Sequence, residues 1–244
     1  MKFEIRRLTT CSSTNDVAKE LVRQGAPEGT VVVSEEQTAG RGTKGRTWHS
    51  ACGKGLYVSL VLRPETPEIT LLPLAAGLAV QEALEKTESL SARLRWPNDI
   101  VWGGKKLGGI LCESGFLGNR SDYVILGIGL NVSHEEGDFP EDLRSIAVSM
   151  RMAIRGEVDV ESLLRHLLRG VERWYEIFTR GECGRIKSAF ERHSAFRKGD
   201  PVIVMTNDKP VQGVYQGIDI SGGLLIEDNT GLRRFTSAEI MNVI

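Results

Sequence analysis

The period of the hydrophobic pattern changes near residue 195, and this constrains the fold more than any other feature of the chain. Before that point helical and extended patterns interleave. Val160, Leu163, Leu164, Leu167, Leu168, Val171, Trp174, Tyr175 and Phe178 hold the i, i+3, i+4 spacing without a break, so a core-facing helix is expected over 160–180, stopped by Gly181. Thr30–Ser34, Leu56–Leu62 and Tyr123–Val132 are short β-branched or apolar runs that read as buried strands. After Phe196 only short β-rich runs remain: Pro201–Met205, Val211–Ile218, Gly223–Glu227 and Leu232–Phe235. Turn residues separate them at intervals of about ten, the spacing of a small all-β barrel. The expected division is therefore an α/β unit over 1–194 and a β unit over 195–244. A chain of 244 residues can bury a core of that size without disulfides or a structural metal.

The rest of the first unit reads coarsely. Residues 2–8 form a first strand, and Ser12 or Ser13 caps a helix with Val17, Ala18, Leu21 and Val22 on one face. Residues 71–86 form a second helix and 184–194 a short late one. Arg93–Trp96, Ile100–Trp102 and Leu107–Cys112 are short strands, with Gly103-Gly104 as a hairpin turn. No apolar segment resembles a signal peptide or a bilayer span, so a cytoplasmic protein is expected. Cys11, Cys52, Cys112 and Cys183 are widely spaced and read as reduced thiols, not as a metal site. His49, His134, His166 and His193 read as surface or cap residues. A net charge of −1 argues against a chain that lives on nucleic acid or an anionic membrane, although a local basic patch stays compatible with that sum.

Four stretches carry chemistry. Gln37-Thr38-Ala39-Gly40-Arg41-Gly42-Thr43-Lys44-Gly45-Arg46-Thr47-Trp48 follows a strand and gathers three glycines and three cations. Glycines let backbone N–H groups approach a bound group, Arg41, Lys44 and Arg46 can neutralise an anion, and Trp48 offers a flat surface to a ring. A solvated surface loop is the plain alternative, and the spacing is neither that of a Walker loop nor G-x-G-x-x-G. Arg95-Trp96-Pro97-Asn98-Asp99 precedes Lys105-Lys106-Leu107-Gly108-Gly109-Ile110-Leu111. Asn98 and Asp99 suit a simple turn, but a carboxylate there can also hold a metal or orient a nucleophile. Lys106 is either a strand-end lysine on solvent or an ammonium that stabilises developing negative charge. Gly127-Ile128-Gly129-Leu130-Asn131-Val132 places glycines inside a strand, a sign of close approach by a ligand or by backbone. Ser13-Thr14-Asn15 sits at a helix start, which caps a helix and can also receive a polar ligand.

In order and approximate spacing, Ser13-Thr14-Asn15, QTAGRGTKGRTW, RWPNDIVW, KKLGGILCE and GIGLNV resemble the biotin–protein ligase family over residues 13–132. GVYQGIDISGGLLIED resembles that family's C-terminal domain. The resemblance implies an α+β fold: a mixed-sheet catalytic domain of the class II synthetase and biotin–lipoate ligase type, followed by a small SH3-like β-barrel. It implies a ligase that uses biotin and Mg2+-ATP to form biotinyl-5′-AMP, then transfers biotin to a lysine of a biotin carboxyl carrier domain. Ser13, Thr14, Asn15 and Gln37 match residues around biotin's ureido ring. Arg41, Gly42 and Thr43 open the loop over biotin and the adenylate, and Gly109 lies on the same biotin side. Gly40, Lys44, Gly45, Arg46, Trp48, Asn98 and Asn131 fall on the ATP and adenylate side. Lys106 matches the essential lysine. Asp99 orients the acceptor lysine or the Mg2+ that arrives with the phosphates, and Arg41 joins these two as a catalytic candidate.

Thr43 departs from the family's usual basic residue at the third position of the loop; either Lys44 supplies the missing phosphate contact or the intermediate is held less tightly. Too few residues precede Ser13 for a helix-turn-helix, so the expectation is the enzyme without a DNA-binding repressor domain. A lipoate or octanoyl ligase or transferase of the same superfamily is the alternative, with Cys52 or Cys112 as its nucleophile. A nucleic-acid adaptor gripping phosphates through Arg41, Lys44 and Arg46 ranks behind both. The acceptor carboxylase stays open, as does a homodimer through a sheet edge, and Arg233 and Arg234 are candidates for ATP or acceptor contacts.

Overall fold

The computed structural model describes residues 1–66, 69–117, 120–206 and 209–242. Seven strands form one mixed sheet: β1 (Glu4–Cys11), β2 (Thr30–Gln37), β3 (Gly55–Leu62), β4 (Arg93–Arg95), β5 (Asp99–Trp102), β6 (Lys105–Leu117) and β7 (Arg120–Asn131). Their order is β1-β2-β3-β7-β6-β5-β4, with β1 parallel to β2 and every other pair antiparallel. The β5–β6 hairpin turns on Gly103 and Gly104, both at positive φ (56° and 80°), which two consecutive glycines allow without a Cβ penalty.

Period-2 alternation decides what each sheet face meets. On β3, Leu56, Val58, Leu60 and Leu62 point to the side covered by α2 (Leu72–Glu88) and α5 (Val160–Thr179), where the main core lies. α5 begins at Asp159, whose carboxylate accepts from Ser162 N–H (2.9 Å), and ends before Gly181 at φ 70°. On the opposite face, Val32, Val61 and Ile125 pack with Ala18 and Val22 of α1 (Thr14–Arg23). Each such buried valine, leucine or isoleucine side chain contributes about 1.5–3 kcal/mol. α1 covers only part of that face, and the part left over is the floor of a cleft. The short helices α3 (Glu141–Arg144) and α4 (Met150–Ile154) lie in the excursion after β7, and α6 (Cys183–His193) follows α5.

A second sheet holds β8 (Pro201–Met205), β9 (Pro210–Ile218), β10 (Leu224–Asp228), β11 (Gly231–Phe235) and β12 (Glu239–Asn242), all antiparallel, in the order β11-β10-β9-β8-β12. The turn pattern found the first four. β12 escaped because its pairing partner, β8, lies more than thirty residues upstream. The small sheet shares the core of the large one: buried Trp96 donates Nε1–H to Gly222 O (2.9 Å), and Thr70 Oγ1 donates to Ser221 O (2.9 Å). The histidine expectation needs one correction. His134 is fully buried and stacks on Phe139 at 4.7 Å between ring centroids, so it is a packing residue and not a surface one.

Candidate functional site

The uncovered part of the sheet lies between α1, the loop over 38–50 and strands β5–β7. Gly109 and Gly129 stand opposite one another on β6 and β7, and Leu111 faces Gly127. A Cβ at Gly127 would lie 2.3 Å from Asn15 Oδ1, and one at Gly129 would lie 2.7 Å from Trp48 Nε1. These glycines therefore let Asn15 and Trp48 rest directly on the sheet.

Over this floor a polar network defines one end of the cleft. Ser13 holds the N-cap position of α1 but makes no side-chain cap; it lines the cleft. Thr14 N–H (2.8 Å) and Oγ1 (3.1 Å) both donate to Gln37 Oε1, and Gln37 Nε2 donates to Ser50 Oγ (2.9 Å). Ser59 Oγ lies 2.6 Å from Asn15 Oδ1, while Asn15 Nδ2 donates to Glu113 (2.6 Å). Glu113 also accepts from Lys19 (2.6 Å) and Arg41 (3.4 Å). Burial alone would raise the Glu113 carboxyl, but the bonds from Lys19 and Asn15 and the nearby charges of Lys19 and Arg41 hold it below the usual range. Arg41 forks onto both oxygens of Asp16 (2.5 and 2.7 Å). That bond holds Asp16 below, and Arg41 above, their ordinary values.

The other end is apolar. Thr47, His49, Asn131, Phe139, Leu143, Ile146 and Ala147 enclose a cleft of about 180 Å³ with Arg46 at its rim. A dry cavity of about 150 Å³ holds a benzene ring, so a planar heterocycle fits here. Gly42, Thr43, Trp48 and Lys106 line both clefts. Lys106 Nζ therefore stands at their junction, 2.5 Å from Asp99 Oδ1 and 5.5 Å from the centroid of the Trp48 ring. Arg95 holds the other Asp99 oxygen through Nε (3.2 Å) and Nη2 (2.8 Å).

The structure thus gathers Ser13, Thr14, Asn15, Gln37, Arg41, Gly42, Thr43, Trp48, Asn98, Lys106 and Gly109 around one cleft and adds Asn131 beside it. Asn98 and Asn131 also have structural duties: Asn98 Nδ2 donates to Ile110 O (2.8 Å), and Asn131 Nδ2 to Val148 O (3.1 Å). Gly40, Lys44 and Gly45 line neither cleft. Lys44 (3.5 Å) and Arg46 (2.7 Å) pair with Glu239 of β12, not with the cleft interior. Asp99 has both oxygens on cations, Oδ1 on Lys106 and Oδ2 on Arg95. No group of three or more His, Cys, Asp or Glu that could bind a metal occurs among the described residues.

Neither thiol suits a nucleophile. Cys112 alternates to the helix side of β6, where burial pushes it up to about 12, and Cys52 lines neither cleft. The residue-by-residue reading missed Asp16, Ser59, Glu113 and the wall from Phe139 to Ala147. Glu113 had a signal: it continues the Gly109, Leu111 alternation onto the cleft face. The wall had none, because its apolar residues are spread over a stretch without a period.

Residues 8–131 match the biotin/lipoate A/B protein ligase family, and residues 199–241 match the biotin protein ligase C terminal domain. The "Bifunctional ligase/repressor BirA" of Bacillus subtilis is 39% identical over 234 residues, covering 94% of this chain and 71% of that protein. The "Biotin--[acetyl-CoA-carboxylase] ligase" of Paracoccus denitrificans is 32% identical over 238 residues, covering 96% of this chain and 98% of that one. The biotin protein ligase of Aquifex aeolicus, solved in complex with biotin and ATP, superposes with a TM-score of 0.86 at 30% identity, covering 98% of this chain and 97% of that one. With its polar network, junction lysine and glycine floor in that order along the sequence, the chain belongs to the biotin/lipoate A/B protein ligase family.

Proposed function

We propose that this chain activates biotin with ATP and passes the biotinyl group to a lysine of a biotin carboxyl carrier domain. The observation that carries the reading is the meeting of a polar and an apolar cleft at Lys106 Nζ. The polar cleft offers amide and hydroxyl groups suited to a ureido ring, and the apolar cleft offers Phe139, Leu143 and Trp48 to an adenine. A carboxylate and an α-phosphate then meet at the ammonium between them.

In the first step a biotin carboxylate oxygen attacks the α-phosphorus in line, the bond to the β-phosphate bridging oxygen breaks, and pyrophosphate leaves. Lys106 stabilises the charge that builds on the carboxylate and α-phosphate oxygens. Mg2+ travels with the triphosphate and supplies further charge neutralisation. In the second step the acceptor ε-amine attacks the acyl carbon, an amide forms, and AMP and a proton are released. The loop over 40–48 shields the anhydride from water. The carrier domain of an acetyl-CoA carboxylase is the first acceptor to test, as the name of the Paracoccus relative suggests. We place the reaction in the cytoplasm, where ATP and such acceptors meet. No helix among the described residues is long and apolar enough to cross a membrane.

The protein is mixed with biotin, Mg2+-ATP and a carrier domain, and pyrophosphate and acceptor mass are measured. Biotin-dependent pyrophosphate release and one biotinyl adduct per carrier are expected. Lys106→Met keeps the fold and loses about 10²-fold or more in the first step. No pyrophosphate from the wild-type protein overturns the reading.

A further inference from the structure

Arg95 has no role in the reaction as described, yet it is built into the catalytic corner. It stands directly across from Asp99 in the β4–β5 pairing and binds that carboxylate through two nitrogens. Both bonds fall on Oδ2, which leaves Oδ1 to Lys106. All three side chains are partly sheltered, with exposures of 28%, 18% and 30% for Arg95, Asp99 and Lys106. Their charges sum to one positive unit. Among the described residues, no carboxylate other than Asp99 forms an ion pair with Lys106.

That arithmetic answers a problem the site poses. A lysine that must stabilise an anion needs a partner to fix its position, but a carboxylate at 2.5 Å also cancels the charge the reaction needs. A second cation on the far oxygen of the same carboxylate removes the conflict. Asp99 can then steer Lys106 without neutralising it. A guanidinium suits this task because it stays charged and its two nitrogens fix the carboxylate plane.

We propose that Arg95 is a positioning residue for the adenylation step: it occupies and offsets Asp99, so that Lys106 meets the substrate oxygens as an uncompensated cation. The proposal rests on the function argued above, but its physical core concerns Lys106 alone and can be measured apart from turnover.

The test uses the full chain as Arg95→Met, Arg95→Lys, Asp99→Asn and the double variant Arg95→Met/Asp99→Asn. Biotin-dependent pyrophosphate release is measured at varied ATP and biotin. In parallel, Lys106 is acylated with an N-hydroxysuccinimide ester at about pH 9, below the usual lysine range, and quantified by peptide mass against exposed Lys209. Arg95→Met is expected to lower kcat about 10–50-fold with KM changed less than about threefold, a transition-state loss. It is also expected to slow Lys106 acylation several-fold relative to Lys209, because Asp99 then holds the ammonium alone. Arg95→Lys recovers most of both readouts. In the Asp99→Asn background the Arg95→Met substitution changes kcat less than about threefold, since the carboxylate it offsets is gone. Unchanged Lys106 acylation in Arg95→Met overturns the proposal whatever happens to kcat, as does an undiminished kcat loss in the Asp99→Asn background. Slowed acylation in a protein whose wild type releases no pyrophosphate sustains the charge relation and overturns the biotin-activating function instead.

Discussion

Replacing Gly127 by alanine inserts a methyl group under Asn15. The added Cβ lies 2.3 Å from Asn15 Oδ1 and 3.0 Å from its Cγ, whereas ordinary contact begins at 3.4 Å. β7 is paired on both sides, by β3 and β6, and cannot back away, so Asn15 retreats by about an ångström. That motion takes Nδ2 away from Glu113 and Oδ1 away from Ser59, each 2.6 Å at present. A hydrogen bond to an ionised group contributes about 1.5–3 kcal/mol and a neutral one about 0.5–1.5 kcal/mol. Glu113 is a quarter exposed and recovers part of its loss from water. The net expectation is a destabilisation of about 2–3 kcal/mol, with a biotin affinity at least about tenfold weaker because the polar network has lost its geometry. Urea unfolding should show a lower midpoint at unchanged slope. The deciding measurement is the double variant Asn15→Ala/Gly127→Ala. Asn15→Ala removes the atoms that the methyl strikes, so the double variant should be no less stable than Asn15→Ala alone. Additive losses, or a wild-type midpoint for Gly127→Ala, refute the packing argument.

Three further expectations follow from other contacts. Thr43 lines both clefts, and its Oγ1 accepts from Arg46 (3.3 Å), so Thr43→Arg adds a phosphate donor and should slow the release of biotinyl-AMP; equal release rates count against this. Glu239→Gln removes the carboxylate shared by Lys44 and Arg46, so trypsin should cut after these residues faster, while stability changes by less than about 1 kcal/mol as for other exposed ion pairs. Burial, with a smaller contribution from His49, holds His134 down to about 4 against an ordinary 6.5. The unfolded chain therefore binds this proton first, and stability present above about pH 6.5 is lost as pH falls towards 4, by at most about 3 kcal/mol. His134→Phe should flatten that limb of the stability profile, and an unaltered limb excludes His134 as its source.

What the sequence revealed and what it hid divide along physical lines. Regular elements were legible because their evidence is local: the unbroken stripe from Val160 to Phe178 became α5, and Gly103-Gly104 turned the β5–β6 hairpin. The cleft residues were legible as motifs because glycine on a strand and cations on a loop are uncommon combinations. Pairwise partners were not. Nothing near Arg41 announces Asp16 or Glu113, and nothing near Lys44 announces Glu239, nearly two hundred residues later. Such pairs exist only after the sheet and the small β unit have come together. His134 was misread for the same reason: a polar residue in a loop is usually exposed, and only the packing of Phe139 against it closes it off.

The partners alter how the cations of the site must be understood. A loop with three cations near a fourth at Lys106 looks like a concentrated positive charge awaiting phosphate. In the structure every one of them already faces a carboxylate: Arg41 faces Asp16 and Glu113, Lys44 and Arg46 face Glu239, and Lys106 faces Asp99. Bare, these charges would repel one another and hold the loop away from the floor. Paired, they tie the loop to α1, to β6 and to the small sheet. The pairs differ in how readily they exchange. The Glu239 pairs are more than a third exposed, and contacts of that kind contribute about 0–1 kcal/mol, so on the proposed function a polyphosphate with several charges would displace the carboxylate at little cost. The Lys106–Asp99 contact is more sheltered and is braced by Arg95 from behind. On the proposed function, ligand binding would exchange ion-pair partners at the loop, while Lys106 would keep Asp99 and its brace, Arg95.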